Sequence, residues 1–113
     1  MIRDKNNLTI AKSDFVRVQT VTDGPVTWGV ILEADNSRCR DLNAVLVQFG
    51  NGTFQYMPGK TLEAVSRVTI EDSELGRVEG GVVGVNHEGY PLVSFNGNPS
   101  VVVFPQMVLS TRY

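Results

Sequence analysis

The chain has 113 residues, of which 42% are hydrophobic, and a formal net charge of −2. This length suits one ordinary domain or two very small ones, because a unit of about 55 residues is close to the lower limit of independent stability. The slight acidic excess creates no field that would gather phosphate groups, so nucleic acid is not an expected partner. Eleven Gly and five Pro favour many turns over long helices, which predicts an all-β fold.

The cysteine and histidine content argues against disulfides and metal sites. Cys39 is the single cysteine and His87 the single histidine, too few for an internal disulfide or a zinc site without carboxylate ligands. The first twelve residues lack the apolar core of a secretion signal, and no segment approaches the roughly 20 apolar residues of a membrane helix. We therefore predict a cytoplasmic protein with no membrane association, no metal and no cofactor.

The N-terminal third predicts an arm, two strands and a long loop. Residues 1–12 show no sustained period and are interpreted as an N-terminal arm. Residues 14–21 and 26–34 form strand-like runs separated by a Thr-Asp-Gly-Pro turn, with Gly29 at a bend in the second run. Residues 35–43 are a polar loop, in which flanking arginines favour the thiolate of Cys39. No base or second cysteine adjoins it in sequence, so a solvated loop is the simpler interpretation.

The clearest element is a β-hairpin within residues 45–65. Residues 45–49 place apolar side chains at alternate positions, Gly50-Asn51-Gly52 supplies a tight turn, and residues 54–56 resume a β-rich pattern. A Pro-Gly pair then ends the ladder. Residues 60–65 predict a single 3₁₀ turn and a closing strand, which completes a first unit near residue 66.

The C-terminal half repeats this organisation, with strands predicted at residues 67–70, 77–85, 90–95 and 101–104. His87 falls in a turn and is expected to be exposed. Such self-similarity indicates two related units. Gly29 and Gly81 are expected to occupy equivalent bends. The alignment pairs Gly29-Val30-Ile31 with Gly81-Val82-Val83, Val47-Gln48-Phe49 with Val93-Ser94-Phe95, Met57-Pro58 with Phe104-Pro105, and Leu62 with Leu109.

The order of these elements resembles the SH3-like barrels, including Tudor-type domains. The shared features are five short strands, a long loop after the second strand, a tight hairpin between the third and fourth, and a Pro-led turn before the fifth. The resemblance implies two tandem SH3-like five-stranded barrels packed together. Their expected boundaries are residues 13–66 for barrel 1 and 67–113 for barrel 2, after the arm of residues 1–12.

The second unit also resembles the type II, plasmid-borne dihydrofolate reductases. It carries Glu88-Gly89-Tyr90 and, after nine intervening residues, Ser-Val-Val-Val-Phe-Pro at residues 100–105. The glutamine and tyrosine that line the pore in that family correspond to Val102 and Phe104, which cannot orient a cofactor by hydrogen bonds. This departure favours the family's fold over its activity.

The first unit resembles the same family through residues 14–17, 28–31 and 54–63. It keeps Gln55 and Tyr56, but Met57 stands at the position of the family's tyrosine. The resemblance therefore implies a barrel in which reductase activity is one alternative function.

Aromatic residues of the first unit are candidates for a binding groove. In Tudor-type domains such residues form a cage for a methylated ammonium, whereas in a small barrel core packing accounts for them as well. Phe49 and Phe54 flank the tight turn, and at least one of them is expected to face inward, which leaves Trp28 and Tyr56 as the better candidates for the surface. The predicted groove comprises Trp28, Phe49, Phe54, Gln55 and Tyr56.

The motifs of common enzymes do not occur in the sequence. It contains no Ser-His-Asp arrangement with supporting motifs, no Gly-rich phosphate loop and no convincing carboxylate pair, so no catalytic residue is assigned. The basic residues Arg17, Arg38, Arg40, Lys60 and Arg67 are scattered rather than clustered. We predict a small non-catalytic binding or assembly module that recognises a protein or peptide. The alternatives are a type II reductase relative and a nucleic-acid-binding barrel.

Residues 101–104 predict self-association. They are four consecutive apolar residues, so alternation along a strand sends two side chains inward and two outward. The outward pair would form an apolar patch, which soluble monomers usually cover. We expect a homodimer, with contact between the two units of one chain as the alternative cover.

Overall fold

The computed structural model describes residues 2–19, 24–34 and 44–113. These residues form β-strands, turns and two short 3₁₀ turns, with no α-helix among them. The all-β prediction is confirmed, since the strands make two five-stranded antiparallel sheets. The predicted loop around Cys39 lies outside the described residues.

The two sheets follow one another along the chain and share one strand order. The first sheet has the order β4-β3-β2-β1-β5, and the second has the equivalent order β9-β8-β7-β6-β10. A 3₁₀ turn precedes the last strand of each sheet, at Gly59–Thr61 and at Pro105–Met107. The strands are β1 (Phe15–Gln19), β2 (Val26–Glu33), β3 (Ala44–Phe49), β4 (Phe54–Pro58), β5 (Leu62–Ala64), β6 (Arg67–Asp72), β7 (Gly76–Val85), β8 (Pro91–Ser94), β9 (Val101–Val102) and β10 (Val108–Arg112).

The first core forms because alternate residues of the strands face one side of the first sheet. Val16 and Val18 of β1 and Val45 and Val47 of β3 are all buried there, as the period of two requires. Burying a side chain of this size contributes about 1.5–3 kcal/mol relative to exposure, so this face is the main stabilising element of the first sheet.

The N-terminal segment belongs to the first core and is not an arm as predicted from the sequence. Ile2 and Ile10 are buried in that core, and an isolated bridge joins Arg3 to Thr9. The buried Asp4 carboxylate accepts hydrogen bonds from the backbone N–H groups of Asn6, Leu8 and Ala64 at 2.8–2.9 Å. The segment is polar in sequence, but its one buried charge satisfies backbone donors that would otherwise lack partners.

Trp28 is buried in the second core, so the prediction of a surface position is wrong. It is 1% exposed and packs with Val65, Val68 and Val93. Gly29 and Ile31 turn toward the first core, so the opposite face of β2 presents Trp28 to the second sheet. Its backbone N–H also donates to the carbonyl of Gly89 at 2.9 Å. The side chain joins the two sheets and is unavailable to a ligand.

The internal repeat is offset by one residue from the alignment predicted for β7. A Cβ at Gly29 would meet Val47, Gln48 and Phe49, and a Cβ at Gly80 would meet the corresponding Val93, Ser94 and Phe95. The equivalent of Gly29 is therefore Gly80, whereas a Cβ at Gly81 would approach only the Arg67 guanidinium, at 3.8 Å. The predicted pairing of residues 47–49 with 93–95 is confirmed.

The C-terminal part of the alignment is also offset by one residue. Leu62 and Val108 both follow a 3₁₀ turn, so Leu62 corresponds to Val108 and not to Leu109. Leu109 is the extra residue at a bulge, because Val108 pairs with Ile70 and Ser110 with Thr69. By the same register Phe104 corresponds to Pro58.

Candidate functional site

A groove of about 420 Å³ lies between the two sheets. Its floor is apolar, formed by Val18 and Met57, which are buried, and by the half-buried ring of Phe49. A volume in this range fits a small ligand or a few residues of a peptide. The groove is the candidate functional site.

One wall of the groove is the turn between β3 and β4, held by its own hydrogen bonds. The Asn51 side chain accepts from the backbone N–H and the hydroxyl of Thr53, at 3.1 and 2.7 Å. Backbone bonds from Phe49 to Thr53 and from Gly52 to Phe49 close the turn. Gly52 adopts φ 87°, a left-handed conformation that glycine tolerates best. This wall is thus fixed before any ligand binds.

The opposite wall is the turn between β7 and β8, built in the same manner. The Asn86 side chain accepts from the backbone N–H groups of Glu88 and Tyr90, at 3.0 and 2.9 Å. Gly89 has φ 85°, and its N–H donates to the Asn86 carbonyl at 3.0 Å. His87 is exposed, as predicted, with its Nε2 3.7 Å from a carboxylate oxygen of Glu88.

Close backbone contact holds the two walls at a fixed separation. A Cβ at Gly50 would clash with the carbonyl oxygen of Asn86, and a Cβ at Gly89 would lie 2.5 Å from the Thr27 hydroxyl. Each sheet therefore contributes a glycine to the junction, because a side chain there would force the turns apart. Gly50 and Phe49 also line a second hollow, of about 280 Å³.

The groove offers apolar contact below and hydrogen-bonding groups above. The hydroxyls of Thr27 and Thr53 and the amide of Gln55 line its sides, together with the carboxylate of Glu88. Among the described residues the lining thus contains amide, hydroxyl and carboxylate groups, and the imidazole of His87 can become cationic. Such a surface suits a neutral or cationic ligand that has both apolar and hydrogen-bonding groups.

Two of the five predicted groove residues line this cavity, namely Phe49 and Gln55. Phe54 is 60% exposed, and Tyr56 is 45% exposed. Side chains alternate along β4, so Gln55 and Met57 face the groove while Phe54 and Tyr56 face the other side. The structure therefore does not bring Trp28 and Tyr56 together in one groove.

Sequence reasoning missed the second wall of the groove, formed by residues 86–89. Its local signal was present, because an Asn followed three residues later by Gly is typical of a tight turn. The missing information was long-range: Gly50 and Asn86 are far apart in sequence, and their turns meet because Trp28, Phe15 and Val26 pack against the second core.

A polar cluster lies near β5, where Lys5, Arg17 and Lys60 line a cavity of about 190 Å³ together with Glu63. Lys5 Nζ and Arg17 Nη1 are 3.5 and 3.7 Å from the same carboxylate oxygen of Glu63. The Thr111 hydroxyl donates to the other oxygen at 2.9 Å and accepts from Arg17 at 3.3 Å. The structure thus gathers cations that are scattered in sequence, but two of the three are paired with a carboxylate.

A tyrosine at the C-terminus also bonds across to the first half of the chain. The Tyr113 hydroxyl donates to the Asp14 carboxylate at 3.0 Å. Burial first, and then this bond, raise the pKa of the Tyr113 phenol above its ordinary value. The contact adds to the connections between the two sheets.

Within residues 2–19, 24–34 and 44–113, no group of three His, Cys, Asp or Glu side chains is placed to hold a metal ion. In the same ranges, no helix has the length and apolarity needed to cross a bilayer. Comparison with known proteins gives no matching family model and no curated protein of significant similarity.

Proposed function

We propose that the chain is a small non-catalytic binding module that holds an extended polypeptide segment in the groove between its two sheets. The floor of Val18, Phe49 and Met57 would take an apolar side chain of the segment. The hydroxyl and amide groups of Thr27, Thr53 and Gln55 would bond its backbone.

The observation that carries the proposal is that hydrogen bonds and a close backbone contact hold both walls of the groove in place. Both walls are turns closed by an asparagine side chain, and the contact between Gly50 and Asn86 fixes their separation. A site that is already formed loses little conformational entropy when its ligand binds, which favours affinity for a short peptide.

The position of β4 supports an extended ligand. β4 is an edge strand, paired on one side with β3, and Gln55 and Met57 on this strand face the groove. An extended peptide beside an edge strand gains main-chain hydrogen bonds, while pockets beneath it select alternate side chains. We therefore propose that the segment lies along β4.

The strand order is compatible with two SH3-like barrels, the fold class that we propose. Both sheets share one order, and a 3₁₀ turn precedes the last strand of each. Small barrels of this type serve many functions, so the fold supports a binding role only together with the groove.

A peptide selection followed by paired variants tests the proposed function. Random peptides displayed on phage are selected against the full chain, and the affinity of the selected peptides is measured by titration. Gln55→Arg fills the groove, whereas Tyr56→Arg places the same charge on the opposite face of β4.

We expect Gln55→Arg to weaken peptide binding at least about tenfold, equivalent to 1.4 kcal/mol, and Tyr56→Arg to leave it within about twofold. Equal effects of the two variants, or no selected peptide, would contradict the proposed function. Binding to single-stranded DNA that falls steeply with salt, or oxidation of NADPH with dihydrofolate, would instead favour one of the two alternatives.

A further inference from the structure

The small cavity beside β5 has an excess of positive charge in its lining. Three cations line it, namely Lys5, Arg17 and Lys60. Among the described residues Glu63 is its one carboxylate, which leaves two positive charges in excess. This local excess is opposite in sign to the net charge of −2 that the whole chain carries. We call Lys5, Arg17 and Lys60 the cationic cluster.

Three separate segments of the chain bring the cationic cluster together. Arg17 lies on β1, directly opposite its cross-strand partner Glu63 on β5. Lys5 is held beside β5 by its backbone N–H, which donates to the Leu62 carbonyl at 2.9 Å. Lys60 is the middle residue of the 3₁₀ turn that precedes β5. Backbone contacts therefore place all three cations around one strand.

Glu63 leaves most of the donors in the cluster unpaired. Lys5 Nζ and Arg17 Nη1 approach one Glu63 oxygen only to 3.5 and 3.7 Å, whereas charge-assisted hydrogen bonds are about 2.7–2.9 Å long. Within the described part of the chain, the cluster's side chains make a single hydrogen bond, from Arg17 to the Thr111 hydroxyl at 3.3 Å. A lysine has three N–H donors and an arginine five, so donors remain for an anion.

Asp4 does not neutralise the cluster, although it precedes Lys5 in the chain. Its buried carboxylate accepts hydrogen bonds from three backbone N–H groups, at 2.8–2.9 Å. These donors occupy the carboxylate oxygens, and Asp4 does not line the cavity. The positive excess therefore remains open to a ligand.

The second sheet shows that the fold does not require charged residues at these positions. Arg17 and Thr69 each follow the residue that pairs with the equivalent glycines of β2 and β7, so they correspond. Lys60 and Gln106 correspond as the middle residues of the two 3₁₀ turns. The second sheet thus has the same strand order with neutral residues at both positions. The charges of the first sheet call for an explanation other than folding.

The charge and the donors of the cluster match a phosphate monoester. Such a group carries a charge of about −1.5 to −2 at pH 7 and has three strong acceptor oxygens, one for each cationic side chain. A carboxylate ligand would supply one charge and two oxygens. The cavity of about 190 Å³ is smaller than the roughly 300 Å³ at which pockets for larger ligands begin, so it suits a phosphate group with few further atoms.

We propose that the cationic cluster binds the phosphate group of a small phosphorylated molecule. Arg17 presents a planar fork of donors to two of the oxygens, while Lys5 and Lys60 act as point charges. The contacts of Arg17 with Thr111 and Glu63 orient its side chain before the ligand binds. The attraction acts within about 8–10 Å in physiological salt, so it does not require a positive charge on the whole chain. This inference does not depend on the peptide groove.

Chemical-shift titration of the isotope-labelled full chain with inorganic phosphate tests the proposal. Sodium chloride keeps the ionic strength constant, because salt screens exposed charges. Acetate and a short oligodeoxythymidine are titrated in the same way. The principal variant is Lys60→Gln, which introduces the residue that the second sheet carries at this position. Lys12→Gln is the control, because it removes the same charge from an exposed residue outside the cavity.

We expect phosphate to shift the amides of Arg17, Thr61 and Glu63 with a dissociation constant of about 1 mM or below, and acetate to bind at least about tenfold more weakly. Lys60→Gln should weaken phosphate binding at least about fivefold, and Lys12→Gln should leave it within about twofold. The absence of localised shifts, or equal effects of the two variants, would overturn the proposal.

The comparison of phosphate with acetate uses the wild type alone, so it does not depend on the folding of a variant. Equal affinities for the two anions would overturn the assignment to phosphate. Binding of the oligonucleotide at the same amides more tightly than inorganic phosphate would also overturn the proposal, because the phosphates recognised would then be those of a nucleic acid.

Discussion

The two neighbouring glycines of β7 provide a sharp test of the internal repeat. A Cβ at Gly80 would lie 2.6 Å from Val93 Cγ1, 2.7 Å from Phe95 Cδ1 and 2.7 Å from the Ser94 carbonyl oxygen. The last contact is with backbone, so the strands β7 and β8 must separate to admit the methyl group. Gly81→Ala is the matched control, because its Cβ would meet only the end of the flexible Arg67 side chain, at 3.8 Å.

The expected effects on the free energy of unfolding have opposite signs. Gly80→Ala should destabilise the protein by about 2–3 kcal/mol, the range for overpacking a core that cannot relax. Gly81→Ala should be neutral or stabilising by about 0.5–1 kcal/mol, because alanine has less conformational freedom to lose in a strand. For a chain of this size, the difference corresponds to melting temperatures roughly 10 °C apart.

Thermal unfolding followed by circular dichroism measures both variants, and Gly29→Ala provides a third comparison. A Cβ at Gly29 would lie 2.6 Å from Val47 Cγ1 and 2.9 Å from the Gln48 carbonyl oxygen. Gly29→Ala should therefore destabilise the protein about as much as Gly80→Ala. If Gly81→Ala proved the more damaging of the two β7 variants, the register that equates Gly29 with Gly80 would be wrong.

Three further predictions concern the junction and the ends of the chain. Gly50→Ala should force its turn away from Asn86 and lower stability by about 1–3 kcal/mol. It should also weaken the binding of those selected peptides whose affinity is unchanged by Tyr56→Arg. Unchanged peptide affinity in a titration would contradict the role of the contact between Gly50 and Asn86. Asp4→Ala removes the acceptor of three backbone N–H groups and should lower the free energy of unfolding, measured in urea, by about 2–4 kcal/mol. A decrease of less than about 1 kcal/mol would show that water replaces the carboxylate. Tyr113, whose folded pKa is raised, should contribute stability below the ordinary tyrosine pKa, and this stability should be lost as the pH rises through the folded pKa. Asp14→Asn should lower the Tyr113 pKa relative to the wild type in tyrosinate absorbance, with Tyr113→Phe identifying the Tyr113 signal by difference. An unchanged pKa would exclude the bond to Asp14 as a cause.

Local patterns were sufficient to predict most of the strands and turns, although β10 was not among the predicted strands. The alternation in residues 45–49 and the Gly-Asn-Gly turn fix the β3–β4 hairpin, which the structure contains. The two adjacent glycines on β7 allow two registers, however, because neither carries a side chain that marks a face of the strand. The predicted equivalence of Gly29 with Gly81 was wrong for this reason.

Long-range contacts could not be predicted from local patterns. Val26, Trp28 and Val30 make one face of β2 apolar, but alternation alone could not show that a second sheet would bury this face. Asp4 lies in a polar segment, and its burial depends on Ala64, sixty residues later. The groove likewise requires two turns from different sheets, whereas Phe49 and Gln55 could be identified because both lie on the hairpin itself.

The most direct test of the binding role is amide chemical-shift mapping of a selected peptide on the isotope-labelled full chain. A peptide in the groove should shift the amides of Thr53, Gln55 and Gly89 and give contacts to the Met57 methyl group, since these residues line the cavity. The amides of residues 107–109, which do not line the groove, should not respond and serve as an internal reference. Shifts confined to residues outside the groove, with no contact to Met57, would contradict the account.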